Sequence, residues 1–218
     1  MSAQSDRALV ASKIQGSSDA PLGPGDAAWD EALEATFTLE PTPLESQPSA
    51  YVQASWTGKE RGDVGSLAAR ALIGDGVLML RLEWSVADAS PAITDYDVYA
   101  DACGVLFPTN GEAQLTTMGS LSTPVTAWYW RAGSEDAKVL TAKGLGTTRP
   151  TVEHGLKVRA EFSANTWSVV FAHPLEIAGF NLGQADFTPV GFAVWAGAAG
   201  ERAGLKSHTP DWQELRIA

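Results

Sequence analysis

The sequence predicts an all-β protein, an antiparallel β-sandwich with long loops and a few short helices. From Trp29 onward, short runs of β-branched and aromatic residues alternate with Gly, Pro, Asn and Asp, which is the pattern of strands separated by turns. Helical periodicity is weak everywhere except over residues 27–35, and no repeat of fixed period occurs. These two observations favour two packed sheets over a helical or α/β fold.

The clearest predicted strand covers residues 77–84, VLMLRLEW, and follows a Gly-Asp-Gly turn. Its second half alternates apolar and charged side chains, so one face should be buried and the other wet. Residues 156–162 and 167–171 flank Ser163-Ala-Asn165 and are predicted to form a hairpin. Further strands are predicted over residues 98–107, 125–131 and 190–195.

The chain is predicted to form one folded domain, residues 29–218, preceded by a flexible arm, residues 1–28. A length of 218 residues with 44% hydrophobic content is enough for one substantial core. The arm contains the stretch GSSDAPLGPGDAA, which is too rich in small and polar residues to bury much apolar surface.

Charge and hydropathy exclude several classes of partner. The 15 Lys and Arg residues against 26 Asp and Glu give a formal net charge of -11, which repels nucleic acid and anionic lipid. No apolar run approaches the roughly 18 residues that a membrane helix needs, so no membrane insertion is expected. An acidic surface instead suits docking to a basic protein.

The single cysteine restricts how any redox centre could be held. Cys103 alone cannot form an internal disulfide, an iron–sulfur cysteine set or a covalent Cys-x-x-Cys-His haem attachment, and it is predicted to be a small buried residue. The sequence also lacks a Gly-x-Ser-x-Gly elbow, a phosphate-binding Gly-rich loop and a His-Glu-x-x-His motif. These absences argue against independent catalysis.

Eight tryptophans are compatible with three roles that the composition does not separate. They can pack a sandwich core, line a cofactor cavity or stack on sugars. A carbohydrate-binding β-sandwich module without a redox role therefore remains the alternative to a cofactor protein.

Several segments, taken in order, resemble the haem-b-binding gamma subunit of periplasmic molybdenum enzymes of the dimethyl sulfoxide reductase family, the group with ethylbenzene, dimethylsulfide, selenate and chlorate enzymes. The match spans most of the chain. The segments that carry it are DAAW at 26–29, LEP at 39–41, VGSLAARALIGDGVLMLRLEW at 64–84, Asp101-Ala102, Phe107-Pro108, Met118-Gly119, Pro124-Val125, WYWR at 128–131, WSVVF at 167–171, Pro174-Leu175 and GERAGLK at 200–206.

The resemblance implies one non-covalent haem b, held between loops at the edge of the sandwich, with Met118 and Lys206 as the axial ligands of the iron. Lysine binds a metal only as the free amine, so its site must favour loss of the proton. His208 is the alternative to Lys206, because imidazole is intrinsically the better haem ligand. The family usually has a basic residue before Pro174-Leu175, whereas this chain has His173, to which we assign no role.

Three aromatic residues, Phe107, Trp128 and Trp130, are candidate walls of the haem pocket, with ordinary core packing as the alternative for alternating strand residues. A Met axial ligand raises the reduction potential. With both axial positions taken by the protein, the iron has no place for a substrate, so electron transfer is expected rather than catalysis.

The resemblance also implies partners and a compartment. It implies a molybdopterin catalytic subunit and an iron–sulfur subunit as partners, with electrons passing between the iron–sulfur subunit and an external carrier such as a soluble cytochrome c. The expected location is the periplasm, with a signal peptide absent from this chain.

Overall fold

The structure, a computed structural model, describes residues 8–15, 22–110, 112–152, 155–175 and 187–217. Within these residues the secondary structure is mostly β. The strands are β1 (Leu9–Lys13), β2 (Ala35–Thr38), β3 (Glu40–Pro41), β4 (Ser66–Gly74), β5 (Val77–Ser85), β6 (Ala102–Pro108), β7 (Val125–Arg131), β8 (Lys138–Ala142), β9 (Arg149–Pro150), β10 (Lys157–Ser163), β11 (Thr166–Pro174), β12 (Phe187–Trp195), β13 (Ser207–His208) and β14 (Gln213–Ile217).

Helices are few and short, as the sequence predicts. Two 3₁₀ helices cover Ala27–Glu31 and Leu44–Ser46, and the α-helix α1 covers Ala50–Trp56. The first of these takes the place of the weak helical pattern predicted over residues 27–35. No helix in the described part of the chain is long and apolar enough to cross a membrane.

Two layers of strands pack face to face. The first layer has the order β10-β11-β5-β4-β1-β14, with β2 also paired to β4, and the second has the order β12-β6-β7-β8-β9, with β13 paired to β12 and β3 paired to β13. The layers are continuous through β12, whose first half pairs with β14 and whose second half pairs with β6. The prediction of an all-β sandwich is confirmed.

The core fills the space between the layers. Leu80 and Leu82 of β5 and Phe171 of β11 face Val105 of β6 and Phe192 of β12, and all five are fully buried. Cys103 also lies in this core as a free thiol, and burial raises its pKa well above the ordinary value. Alternate residues of each second-layer strand therefore face away from this core.

The predicted hairpin is present, and the predicted turn before residues 77–84 belongs to a second hairpin. β4 and β5 are joined through Asp75 and Gly76, and β10 and β11 through Ala164 and Asn165. All four of these residues have positive φ, which matches the twist of a two-residue hairpin turn. The strand predicted over residues 98–107 begins later, at Ala102, because residues 86–101 form a loop.

The prediction of a flexible arm over residues 1–28 needs a correction. Leu9–Lys13 forms β1, which lies between β14 and β4 and runs parallel to both. Leu9 and Ala11 are fully buried, because alternate side chains of this interior strand point to the core. The two pairings of β1 also make the sheet mixed rather than purely antiparallel. Residues 1–7 and 16–21 of the predicted arm lie outside the described residues.

Candidate functional site

A cavity of about 410 Å³ lies on the outer face of the second layer, within the range of cofactor pockets. Its floor comes from β6, β7, β8 and β12, and loops border it on the solvent side. The strand residues that line it face away from the main core: Ala102, Gly104, Leu106, Ala127, Tyr129, Arg131, Leu140, Ala142, Ala193 and Trp195.

Small side chains on this face create the space. Ala102, Gly104, Ala127, Ala142 and Ala193 stand side by side on four neighbouring strands, where large residues would fill the volume. A Cβ on Gly104 would lie 3.3 Å from the Trp128 carbonyl oxygen and 3.7 Å from the Trp195 ring. The floor is therefore flat and apolar.

Met118 reaches the cavity from the loop before β7. The amide of Gly119 donates to the Gln114 carbonyl at 2.9 Å, and the amide of Met118 donates to the Leu115 carbonyl at 3.0 Å. This pair of bonds is a Schellman motif, in which the residue at the position of Met118 adopts the left-handed conformation that glycine favours. Met118 has φ 57° there, which is a strained backbone conformation for a residue other than glycine. This conformation fixes the direction in which the Met118 side chain leaves the loop.

Further contacts hold the Met118 loop in place. The Met118 carbonyl accepts a hydrogen bond of 3.1 Å from the amide of Gly144, and Gly119 bridges to Pro124. A Cβ on Gly119 would lie 2.4 Å from the Thr123 carbonyl oxygen, so only glycine fits there. The Met118 side chain is half-buried against an apolar cluster that includes Leu106.

Lys206 reaches the same cavity from the loop that precedes β13. Its carbonyl accepts hydrogen bonds from the amide of Thr42 at 2.9 Å and the hydroxyl of Thr42 at 3.1 Å. The Gln47 amide nitrogen donates to the Gly204 carbonyl at 3.1 Å, and a Cβ on Gly204 would lie 2.1 Å from Gln47 Oε1. These contacts anchor the backbone of the loop, and the Lys206 side chain lines the cavity.

The environment of the Lys206 amine favours its neutral form. Desolvation by burial lowers the pKa of Lys206 from 10.5 to about 8, and the charge of Glu201 opposes part of this shift. Nζ lies 5.7 Å from the centroid of the Trp195 ring. The Trp195 indole is fixed in turn by a hydrogen bond of 3.0 Å from Nε1 to the Ala203 carbonyl. A neutral amine is the form that can bind a metal.

Glu201 also lines the cavity, but its carboxylate is occupied by the backbone. Oε1 accepts from the amide of Gly62 and Oε2 from the amide of Ala196, both at 2.9 Å. Desolvation raises the pKa of Glu201, and the backbone hydrogen bonds oppose the rise. The residue is 1% exposed and joins three segments of chain.

Two histidines lie outside the cavity. His208, the alternative ligand, is buried on β13 and is absent from the cavity lining; its Nδ1 lies 2.7 Å from the Thr209 carbonyl. Burial lowers its pKa. His173 is 2% exposed, stacks on the Trp128 ring at 5.1 Å and forms a contact of 2.7 Å with the Pro174 carbonyl.

The three predicted aromatic walls lie in the main core. Phe107 and Trp130 are buried between the layers and do not line the cavity. Trp128 borders the cavity from the same strand, yet it is fully buried and its ring packs against Phe107 at 5.0 Å in the core. For these side chains the structure agrees with the alternative of ordinary core packing.

The aromatic residues that face the cavity are their neighbours Tyr129 and Trp195, whose rings meet edge to face at 5.6 Å. Burial raises the pKa of Tyr129, while Arg131 lowers it. The alternation of side chains along a strand could have identified this face. The small residues of β6 and the odd-numbered residues of β7 both lie on it.

The fold and the site together define a β-sandwich binding domain with one apolar, loop-bordered cavity on an outer sheet face. Met118 and Lys206, distant in sequence, both line that cavity. A crystal structure of a protein from Bacteroides uniformis, described as carbohydrate-binding, superposes with a TM-score of 0.55 at 8% identity, over 96% of this chain and 98% of that one. This likeness shows the fold alone.

Sequence relatives assign the family. The chain is 38% identical over 155 residues to chlorate reductase subunit gamma of Ideonella dechloratans, covering 69% of this chain and 64% of the relative. It is 31% identical over 195 residues to a protein of Haloferax mediterranei named as a respiratory nitrate reductase heme subunit, covering 87% and 66%. It is 27% identical over 147 residues to dimethylsulfide dehydrogenase subunit gamma of Rhodovulum sulfidophilum, covering 63% and 55%.

The chain belongs to the family of these gamma subunits, which confirms the resemblance drawn from the sequence. The chain spans less than two thirds of the length of each of these three relatives. No protein-family model matches it.

Proposed function

We propose that this protein is a b-type cytochrome subunit that transfers electrons between the iron–sulfur subunit of a periplasmic molybdoenzyme and an external carrier such as a cytochrome c. The observation that carries the proposal is that Met118 and Lys206 line one cavity from two separately anchored loops. The names of the relatives, two gamma subunits of oxidoreductases and one heme subunit, support the same reading.

The residues of the cavity fit one haem b. The lining is mainly apolar, five small residues on four neighbouring strands leave room for a porphyrin, and the volume lies in the range of cofactor pockets. The thioether of Met118 and the amine of Lys206 are donors that bind iron without carrying a negative charge. Cys103 is buried in the opposite core, so the haem would be held non-covalently.

Each ligand side chain has a separate role. Met118 would supply a weak thioether donor, which favours reduced iron and raises the reduction potential. Lys206 would supply a neutral amine. Because burial lowers its pKa to about 8, less free energy is needed to remove its proton at neutral pH than for a solvated lysine. Together Met118 and Lys206 would hold the haem iron and leave no position on it for a substrate. A bound haem would supply a one-electron couple.

The net charge of the chain supports docking to a basic carrier. A formal charge of -11 favours encounter with a positively charged cytochrome c, and such steering weakens as salt is added. We therefore expect the rate of electron transfer to a basic cytochrome c to fall steeply with ionic strength.

The test is an absorption spectrum of the chain after addition of haem. We expect a sharp Soret band that is altered in both Met118→Ala and Lys206→Ala. The matched controls are Met79→Leu, in the core, and Lys138→Ala, exposed on β8, which should leave the band unchanged. Magnetic circular dichroism then distinguishes an amine ligand, Lys206, from an imidazole ligand, His208. A spectrum that is unaltered after removal of both Met118 and Lys206 contradicts the proposal.

A further inference from the structure

The cavity lining has the opposite charge balance from the rest of the protein. Over the whole chain, acidic residues outnumber basic ones and the net charge is -11. Among the described residues that line the cavity, three are basic, Arg131, Arg202 and Lys206, and one is acidic, Glu201. The carboxylate of Glu201 is already engaged by the amides of Gly62 and Ala196. A cationic patch in an acidic protein indicates a negatively charged ligand.

Arg202 is held in position by contacts that leave its charge uncompensated. Its guanidinium lies 4.4 Å from the centroid of the Tyr99 ring and 6.0 Å from that of Trp56, and Nη1 donates to the Gly200 carbonyl at 3.1 Å. Stacking on aromatic rings orients a guanidinium without neutralising it. No acidic side chain in the described part of the chain forms an ion pair with Arg202.

Arg131 is the second free guanidinium at the cavity. It ends β7, with its backbone paired to Ala102, and its side chain is exposed on the same face as Tyr129. Within the described residues it also has no acidic partner at salt-bridge distance. The two arginines thus border the cavity with donor groups that match carboxylates, since a guanidinium binds a carboxylate through two parallel hydrogen bonds.

We propose that Arg131 and Arg202 bind the two propionate carboxylates of the haem and so fix its orientation in the cavity. This inference rests on the proposed function. Lys206 is more buried than either arginine, lies beside Trp195 and would bind the iron under the proposed function, which leaves the two arginines to recognise the carboxylates. They are positioning residues, because their contacts are with the periphery of the porphyrin.

The test measures haem release from the loaded protein to an excess of a haem-scavenging protein. The variants are Arg131→Gln, Arg202→Gln and the double variant, each loaded with haem b and, separately, with the dimethyl ester of haem b, which has no free carboxylates. Arg159→Gln is the matched control, because Arg159 is exposed on β10 in the other layer. The Soret band reports in every case whether the axial ligands are intact.

We expect the double variant to release haem b roughly 10-fold faster than the parent, with each single variant in between, because charge-assisted hydrogen bonds are lost. The dimethyl ester should dissociate from the parent and from the double variant at the same rate. Arg159→Gln should release haem b as slowly as the parent does. Equal rates for haem b in parent and double variant, with an unchanged Soret band, overturn this inference alone. If the parent protein shows no Soret band after haem is added, the proposed function is overturned as well.

Discussion

Asp101 and Trp167 connect the two layers of the sandwich through a buried hydrogen bond, in which Trp167 Nε1 donates to Asp101 Oδ2 at 2.8 Å. The same carboxylate accepts from the amide of Ser90 and, through Oδ1, from the amide of Gly197, each at 2.8 Å. Asp101 is fully buried, and it lies next to Ala102, the first cavity residue of β6. The carboxylate therefore fixes one end of the cavity floor against the opposite layer.

Replacement of Asp101 should destabilise the fold strongly. Asp101→Ala leaves three buried N–H groups without an acceptor, and we expect a loss of about 4 kcal/mol in the free energy of unfolding. Trp167→Phe removes one donor and leaves the carboxylate with two, so we expect a loss of about 1–2 kcal/mol. Urea denaturation measures both. Asp97→Ala, at an exposed loop position, is the control, and an equal effect at Asp97 and Asp101 would contradict this account.

Substitutions at the neighbouring residues Met118 and Gly119 should differ strongly in their effect on the free energy of unfolding. Met118→Gly relieves a left-handed non-glycine residue at the expense of partly buried side-chain contacts, so we expect a change within about 1 kcal/mol. Gly119→Ala places a Cβ 2.4 Å from the Thr123 carbonyl at φ 74°, and we expect a loss of about 2–4 kcal/mol. Thermal and urea unfolding of the haem-free chain compare the two.

The same pair separates haem ligation from folding. Met118→Gly should fold as the parent does and yet give an altered Soret band, because only the sulfur is lost. A Met118→Gly variant that unfolds like Gly119→Ala would show instead that the methionine is needed mainly for packing.

The predictable parts of the fold were those in which local pattern and tertiary structure agree. The turn before β5 and β5 itself follow from Gly-Asp-Gly and the alternation after it, and the β10–β11 hairpin follows from the turn at Ser163-Ala-Asn165. β1 was missed because five residues within a polar stretch gain their stability from two long-range parallel pairings, which leave no local signal. The continuity of the layers through β12 is equally a matter of tertiary pairing.

The two candidate ligands follow from motifs and not from composition. Met118 and Lys206 came from the resemblance, and the structure brings both to one cavity. Of the predicted aromatic walls only Trp128 borders the cavity, because most of the cavity face of β7 belongs to the alternate set of Ala127, Tyr129 and Arg131. The positions of Arg202 and Trp195 depend on how the loop over residues 200–206 folds back, which no local pattern encodes.

Lys206 should make the stability of the haem-free chain depend on pH in a specific direction. Because its folded pKa of about 8 lies below the unfolded value of 10.5, the folded chain binds the proton less well, and stability rises as pH increases from about 8 to 10.5. The difference corresponds to roughly 3 kcal/mol, which partial exposure reduces to about 2 kcal/mol.

Lys206→Met removes this contribution while keeping the length of the side chain. We expect the variant to be more stable than the parent by about 2 kcal/mol at pH 7, with the advantage shrinking toward pH 10. Urea denaturation of both proteins at several pH values gives the difference, in which other titrating groups such as Cys103 cancel. A difference that does not change with pH would show that the amine is solvated.

Haem binding should weaken in acid because Lys206 must lose its proton to bind the metal. Below the Lys206 pKa of about 8, we expect the apparent haem affinity of the parent to fall by roughly tenfold for each pH unit. In Lys206→His the fall should begin only near pH 6.5, the ordinary pKa of imidazole. Haem titrations followed at the Soret band between pH 6 and 9 compare the two proteins, and protonation of the propionates affects both alike. Parallel curves would show that the residue at position 206 does not bind the iron, and His208 would then be the remaining candidate for the second ligand beside Met118.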